Sequence, residues 1–524
     1  MNDEMEFCLL FTSDVHGHLY PIDYVTEKKA SNSLANIASV IRKHRIANTV
    51  VLDLGDILQG SPMMDYHWHK ARNKANPAAF CLKGIGYDYF VPGNHDFNYG
   101  RAYLSRFISQ ITAKPLCANI LTKKGNPAIG SPYDIVELTE GLKIAIIAVT
   151  TQYIPNWEKK ANVRGLVFTD ACLQAKKLVE RIRKEEDPTM VIVAYHGGFE
   201  KDLDTFLPYV DDTGENEGSR MLETIEGIDV LLTGHQHRKI CQKVKNTWVI
   251  QPMSNALAVG KVITKFAKNG DKWGITGIDA EIMESTGYPE NVEICKRLEK
   301  EQIATEEYLD KVIGIAPKND MEIKDQFDAR LHKHKVVTFI NRVQLDKSKA
   351  MITCSSLGNS VTGFKKMITV RDVYTTYLYP NNLVVVEITG EKLRLALEKC
   401  AEYFVVENGR ISSNPKYSHP KVEHYNYDMF DGIDYTIDIS KPEGSRIVRL
   451  ERNGVPVREN DILTLAMNNY RYAGGGEFAM YKGLKTLRSY GDDITDLITK
   501  SIEKKHLIVV DDPKNIVVKA SKNQ

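Results

Sequence analysis

Eight side chains able to bind metal or move a proton punctuate the first half of the chain: Asp14, His16, Asp56, Asn94, His95, His196, His235 and His237. They follow apolar runs at residues 7–11, 49–52, 87–91, 190–195 and 228–232. Carboxylate, imidazole and amide oxygen together form a donor set for divalent Mn, Fe, Co or Zn. No cysteine belongs to the series, which argues against a closed structural zinc site. Asp14-x-His16 and His235-x-His237 suit two ligands on one face of an extended segment, where side chains alternate with period two. Asp56 is the natural candidate to bridge two ions. Singly, a histidine after a strand is usually structural, and an aspartate before a helix is usually an N-cap. The ordered series of strand ends points to a metal centre.

A sheet has to present these residues. From residue 7 to about 283 the pattern is strand, loop and helix, repeated, with amphipathic helices expected over 33–45 and 171–185. Residues 87–91 read as a short buried strand and Pro92-Gly93 as a turn, delivering Asn94, His95 and Asp96. In an open α/β sheet, ligands sit in the crevice beyond the carboxyl ends of the strands. The expected class is α/β (α+β), with sheets covered by helices. The chain divides into a domain over 1–285, a helical connector over 286–325 and a second, smaller α/β domain over 326–524. The last is expected to open with a helix over 329–343 and to carry a strand over 383–388 and a helix over 391–404.

At 524 residues the chain exceeds one ordinary core. Lys+Arg 69 against Asp+Glu 68 leaves a net charge of +1, so any attraction for phosphate is local and no stable nucleic-acid complex is expected. No apolar run approaches the ~20 residues of a membrane span, so no membrane partner is expected. Residues 1–6 are acidic and lead straight into a strand, unlike a basic-then-apolar leader. The eight cysteines are scattered without a CxxC pair, as free thiols in a reducing compartment would be. A cytoplasmic location is expected, or an exported one if a leader has been removed.

The series Asp14-Val15-His16, Gly55-Asp56, Gly93-Asn94-His95-Asp96, His196 and Gly234-His235-Gln236-His237 resembles the calcineurin-like metallophosphoesterases. The resemblance implies a four-layer β-sandwich flanked by helices and two divalent ions. Asp14, His16, Asp56 and His237 would hold one ion, and Asp56, Asn94, His196 and His235 the other. Two ions ~4 Å apart clamp a phosphoryl group and lower the pKa of water toward ~7. His95 would be the catalytic histidine, contacting the phosphate or protonating the leaving oxygen. Many relatives carry an acidic residue three positions after this histidine, where this chain has Asn98. An amide orients the ring but does not hold an imidazolium by charge. Asp96 would point elsewhere in an extended loop.

In the second half, Tyr425-Asn426-Tyr427-Asp428 and Asn468-Asn469-Tyr470-Arg471-Tyr472-Ala473-Gly474-Gly475-Gly476-Glu477-Phe478 set aromatic residues beside turns. Two aromatic faces on separate loops suit a base sandwich, worth ~1–3 kcal/mol per base; such residues also serve as core plugs. The two-domain layout resembles the 5′-nucleotidase family. These blocks, Asn98 and residues 379–383 resemble its 2′,3′-cyclic-nucleotide 2′-phosphodiesterase/3′-nucleotidase branch. The resemblance implies a nucleotide or cyclic-nucleotide substrate, stacked between Tyr427 and Phe478, with Tyr425 and Tyr472 as alternatives and Gly474 and Gly475 alongside. It also implies that the C-terminal domain delivers the nucleotide by rotating against the N-terminal one. The expected activity is two-metal hydrolysis of 2′,3′-cyclic nucleotides, nucleoside monophosphates or both. The alternative is a 5′-nucleotidase or nucleotide-sugar-type hydrolase. The near-neutral charge disfavours a nuclease, and the complete ligand set disfavours a catalytically weak nucleotide sensor.

Overall fold

The computed structural model describes residues 4–208, 214–377, 381–419 and 422–520; Tyr379 and Pro380, part of one resembling block, lie outside them. The chain divides into two compact units, Met1–Glu306 and Glu307–Gln524, and the division falls inside the helix Val292–Leu309. Within 286–325 the chain is not helical throughout, because Val312–Ile315 is a strand paired with Met367–Thr369.

The first unit holds two six-stranded sheets. In one, Glu4–Thr12, Thr49–Asp53, Tyr89–Phe90 and Lys114–Pro115 run parallel, and Ala258–Asn269 pairs antiparallel with the first. In the other, Leu142–Thr150, Met190–His196, Val230–Thr233 and Thr247–Pro252 run parallel. Side-chain alternation sorts these strands into layers. Phe7, Leu9 and Phe11 meet Ile144, Ile146, Ala148, Ile192 and Ala194 between the sheets. Cys8 and Leu10 face Ile37 and Ile41 of the helix Leu34–His44. Ala145, Ile147, Val191 and Val193 face Ala175, Val179 and Ile182 of the helix Ala171–Glu185. With both faces covered, parallel strands read as unbroken apolar runs. The result is the expected helix–sheet–sheet–helix sandwich.

The second unit is built on a five-stranded sheet in the order Asp428–Asp431, Ile352–Ser356, Ile462–Asn468, Asn382–Thr389, Thr486–Asp493, with a separate four-stranded sheet. The helix Gly390–Ala401 follows its strand as expected. The helix expected over 329–343 is instead two, Gln326–Leu331 and Lys335–Ser348. At the break Lys333 adopts φ +52. Its fully buried ammonium pairs with Asp431 at 2.7 Å and donates to Phe430 O and Asn515 Oδ1 at 2.8 Å each. The apolar spacing on either side hides this inward-turned lysine. Among the described residues no helix is long and apolar enough to cross a membrane. All eight cysteines are free and six are buried.

Removing one partner of a buried pair strands the other. Lys333→Met is therefore expected to destabilise the second unit by about 3 kcal/mol in chemical denaturation; an unchanged midpoint would show that the lysine does not hold the break.

Candidate metal centre

The parallel strands of the first unit empty into one region. Asp14 follows Glu4–Thr12, Asp56 follows Thr49–Asp53, Asn94 and His95 follow Tyr89–Phe90, His196 ends Met190–His196, and His235 follows Val230–Thr233. The ligand atoms of Asp14, His16 and His237 lie within 4.8 Å of one another, as do those of Asp56, His196 and His235. Asn94 sits with the second group, its Oδ1 3.1 Å from His196 Nε2 and 2.9 Å from His235 Nδ1. The Asp56 carboxylate accepts from His95 N–H at 2.6 Å through Oδ1, and its Oδ2 lies 3.3 Å from His196. The His95 ring lies 5.3 Å from the His16 ring, and its Nδ1 is 2.8 Å from Asn98 Oδ1.

The spacing of these residues has a different origin from the extended segments expected. Asp14 (φ 54), His16 (φ 49), Asp56 (φ 57), His235 (φ 66) and His237 (φ 58) all occupy the left-handed region. Tight turns aim their side chains inward, and each carries backbone strain of order 1–3 kcal/mol. Two motif glycines are steric necessities. A Cβ on Gly93 would lie 2.3 Å from Asp56 Oδ1, and one on Gly234 would lie 2.1 Å from Ser13 Oγ.

Outer hydrogen bonds fix the rings. His16 Nδ1 donates to Gln59 O at 3.0 Å and His196 Nδ1 to Leu54 O at 2.6 Å, because a carbonyl only accepts. Their Nε2 atoms then face the centre. Glu215 Oε1, 3.0 Å from His235 Nε2, takes that hydrogen and turns Nδ1 inward, while the Trp157 ring packs 5.4 Å from His235. Carboxylate or carbonyl partners of this kind set the tautomer of metal-binding histidines. No motif marked Glu215 or Trp157 in the sequence.

The inward lone pairs confront other acceptors. His235 Nδ1 faces Asn94 Oδ1 at 2.9 Å, and Asp56 Oδ2 is fully buried without a well-formed hydrogen bond. Such a donor set calls for positive charge between its members, and divalent cations fit it. The protonation states agree. Burial opposes charge on His196, but neighbouring Asp56 prevails and lifts it to about 10. Burial, helped by His237, lowers His16 to about 3. Burial would raise Asp14 and Asp56, yet adjacent histidines hold both well below the usual carboxylate range.

Asp96 does not extend away. The single turn His95–Phe97 aims its buried carboxylate at the backbone N–H groups of Gly93, Asp56, Ile57 and Leu58, at 2.8, 2.9, 3.0 and 3.0 Å.

In the second unit the expected stacking pair is corrected. Tyr427 is fully buried, its ring stacked on Tyr403 at 4.9 Å. Phe478 is fully buried, stacked on Tyr481 at 5.5 Å and capped by Arg471 at 4.1 Å. Both are core plugs in this arrangement. Tyr472 is half-buried, its hydroxyl accepting from Thr486 at 2.9 Å. Exposed aromatic surface comes from half-buried Tyr425 and from Tyr470, which is 38% exposed. Both frame the buried Arg471, which binds Asp428 at 2.7 and 3.1 Å and donates to Tyr425 O at 3.0 Å. Gly475 is the contact surface for Tyr470, since a Cβ there would lie 2.5 Å from that ring; Gly474 packs on Lys482. Tyr470 was missed because flanking aromatics all look alike until the burial of Arg471 sets which way the short helix Asn469–Tyr472 turns.

The calcineurin-like phosphoesterase profile matches residues 9–239, and the 5′-nucleotidase C-terminal domain profile matches 312–483. A crystal structure described as a putative 5′-nucleotidase from Staphylococcus aureus is 30% identical, covering 98% of this chain and 100% of that one with a TM-score of 0.87. The chain belongs to the 5′-nucleotidase family of metallophosphoesterases. Family members catalogued as 2′,3′-cyclic-nucleotide 2′-phosphodiesterase/3′-nucleotidase include one from Haemophilus influenzae, 28% identical over 90% of this chain and 80% of its own. Another, from Salmonella typhimurium, is 27% identical over 90% and 82%. The chain is thus a hydrolase of the metallophosphoesterase class, and calcineurin-like members use divalent metals.

Because His196 must lose its proton to bind a cation, loading Mn²⁺ at pH 7 is expected to release about one proton per chain, and affinity should climb with pH up to about 10. Titration calorimetry in buffers of different ionisation enthalpy measures this; no release would contradict the His196 assignment. Asp96→Ala, which touches no proposed ligand atom, should lower bound metal in elemental analysis by freeing both loops. Full occupancy would show that the loops hold without it.

Proposed function

We propose that the chain is a two-metal-dependent nucleotide phosphohydrolase acting on 2′,3′-cyclic nucleotides and nucleoside 3′-monophosphates. The observation that carries this reading is the two ligand groups, Asp14–His16–His237 and Asp56–His196–His235, linked by the bond from His16 N–H to Asp56 O at 2.8 Å, with His95 in contact with a member of each. Similarity along 90% of the chain to relatives named for these substrates supports it.

Bound divalent cations, of Mn, Fe, Co or Zn type, supply Lewis acidity to phosphoryl oxygens and activate water. Asp14, His16 and His237 would hold one, Asn94, His196 and His235 the other, with Asp56 between them. The chain's own contribution to bond cleavage is His95. Water forms a bond to phosphorus and releases one proton to solvent as the bond to the ester oxygen breaks, and the electron pair of that bond stays on the leaving oxygen. His95 Nε2 gives its proton to this oxygen and regains one from solvent. Tyr425 and Tyr470 offer rings for a nucleobase, ordered by their shared Arg471.

A second reading, 5′-nucleotidase activity, draws on the 30% identity to the Staphylococcus aureus protein. Phosphate and nucleoside release from 2′,3′-cAMP, 3′-AMP and 5′-AMP with Mn²⁺ separates the two. Turnover of the first two with 5′-AMP poor is expected, and a strong preference for 5′-AMP would replace the first reading with the second. His95→Ala should retain metal and slow turnover by roughly 10²-fold or more; unchanged turnover would remove it from the reaction. Tyr470→Ala should raise KM about tenfold with kcat little altered, the size of one lost stacking contact, and an unchanged KM would remove Tyr470 from the base site.

A further inference from the structure

Asn98 occupies the position of an acidic partner for His95, yet an acidic side chain stands directly behind it. Asn98 Nδ2 donates to Glu158 Oε1, and the other oxygen, Oε2, accepts from Asn162 Nδ2 at 2.8 Å. Asn162 Nδ2 also donates to Asn98 O at 2.9 Å, and Asn162 O accepts from Arg101 N–H at 3.2 Å. Glu158 is sixty residues from Asn98 in sequence. It follows the short helix Ile154–Trp157, whose Trp157 packs on His235.

The chemistry of this chain of bonds is directional. An amide has one accepting and one donating end, almost identical in shape, so an isolated asparagine can turn either end toward a histidine. An ionised carboxylate only accepts. With both oxygens of Glu158 occupied by amide N–H groups, Asn98 must turn Nδ2 outward and Oδ1 toward His95. His95 Nδ1, 2.8 Å from that oxygen, must then carry hydrogen in both charge states of the ring. The exchangeable proton of His95 is thereby confined to Nε2.

We propose that Glu158 is a positioning residue for the phosphoryl-transfer reaction, acting through Asn98 to lock the His95 ring so that Nε2 alone donates to the leaving oxygen. The split arrangement Asn98–Glu158 takes the place of a single carboxylate on Nδ1. This rests on His95 being the proton donor, as proposed above.

The test uses the full-length, Mn²⁺-loaded protein and two phosphate esters, 3′-AMP, whose alkoxide leaving group needs a proton, and 4-nitrophenyl phosphate, whose leaving group does not. Glu158→Gln keeps the side-chain shape but leaves one acceptor for two amide donors, so Asn98 is free to flip. The expected result is normal metal content and a fall in kcat for 3′-AMP at least about tenfold larger than that for the aryl ester, with KM little changed. Adding Asn98→Asp to Glu158→Gln, which moves the carboxylate onto Nδ1, should recover most of the lost kcat. An equal loss on both esters, or no rescue, would overturn the proposal. Imidazole ¹⁵N spectra of metal-free protein supply a readout independent of turnover. His95 should carry hydrogen at Nδ1 in the parent and populate both tautomers in Glu158→Gln, and an unchanged tautomer would also overturn it. If His95→Ala itself shows no dependence on leaving group, the proton-donor reading fails and this inference with it. If His95→Ala shows it and Glu158→Gln does not, this inference fails alone.

Discussion

The centre depends on the buried carboxylate of Asp96. Four backbone N–H groups from two loops, Gly93 on one and Asp56, Ile57 and Leu58 on the other, converge on it. Those amides would otherwise be buried without partners, each at a cost of about 1–3 kcal/mol. By satisfying them together, Asp96 ties the turn that carries Asp56 to the turn that carries Asn94 and His95. The bond from His95 N–H to Asp56 Oδ1 at 2.6 Å closes the same junction from the other side. The spacing of Asp56, Asn94 and His95 is thus set by backbone.

Around that junction the fold accepts two local costs. Five proposed ligands sit at positive φ, and Asp56, His196 and Asp14 are charged or chargeable groups taken out of water. The sandwich makes both tolerable, because the parallel strands are covered on two faces and leave the turns little room to relax. The carbonyls of Leu54 and Gln59 and the carboxylate of Glu215 then pin three imidazoles with their other ring nitrogens inward. A bound cation would resolve the repulsion among the inward acceptors, and at His196 a proton serves the same end.

What was legible in the sequence follows from how local each feature is. The parallel strands and the helices Leu34–His44 and Ala171–Glu185 are written in apolar spacing, and the ligand series is written in short blocks at strand ends. Features that depend on distant residues were not legible. Glu158 and Glu215 lie in connecting segments with no pattern of their own, and their partners are 60 and 20 residues away. Lys333 breaks a helix because Asp431, far along the chain, draws it inside. The aromatic blocks were visible, but which rings are plugs was not. Tyr427 and Phe478 are consumed by Tyr403, Tyr481 and Arg471, and only that packing leaves Tyr425 and Tyr470 with surface to offer.

In the proposed centre Asp56 would join two cation sites. Electron paramagnetic resonance of the Mn²⁺-loaded protein, with metal counted on the same sample, addresses it directly. Two Mn²⁺ per chain and the spectrum of an exchange-coupled pair are expected, with the coupling abolished in Asp56→Ala. One ion per chain, or two that are magnetically independent in the parent protein, would contradict it.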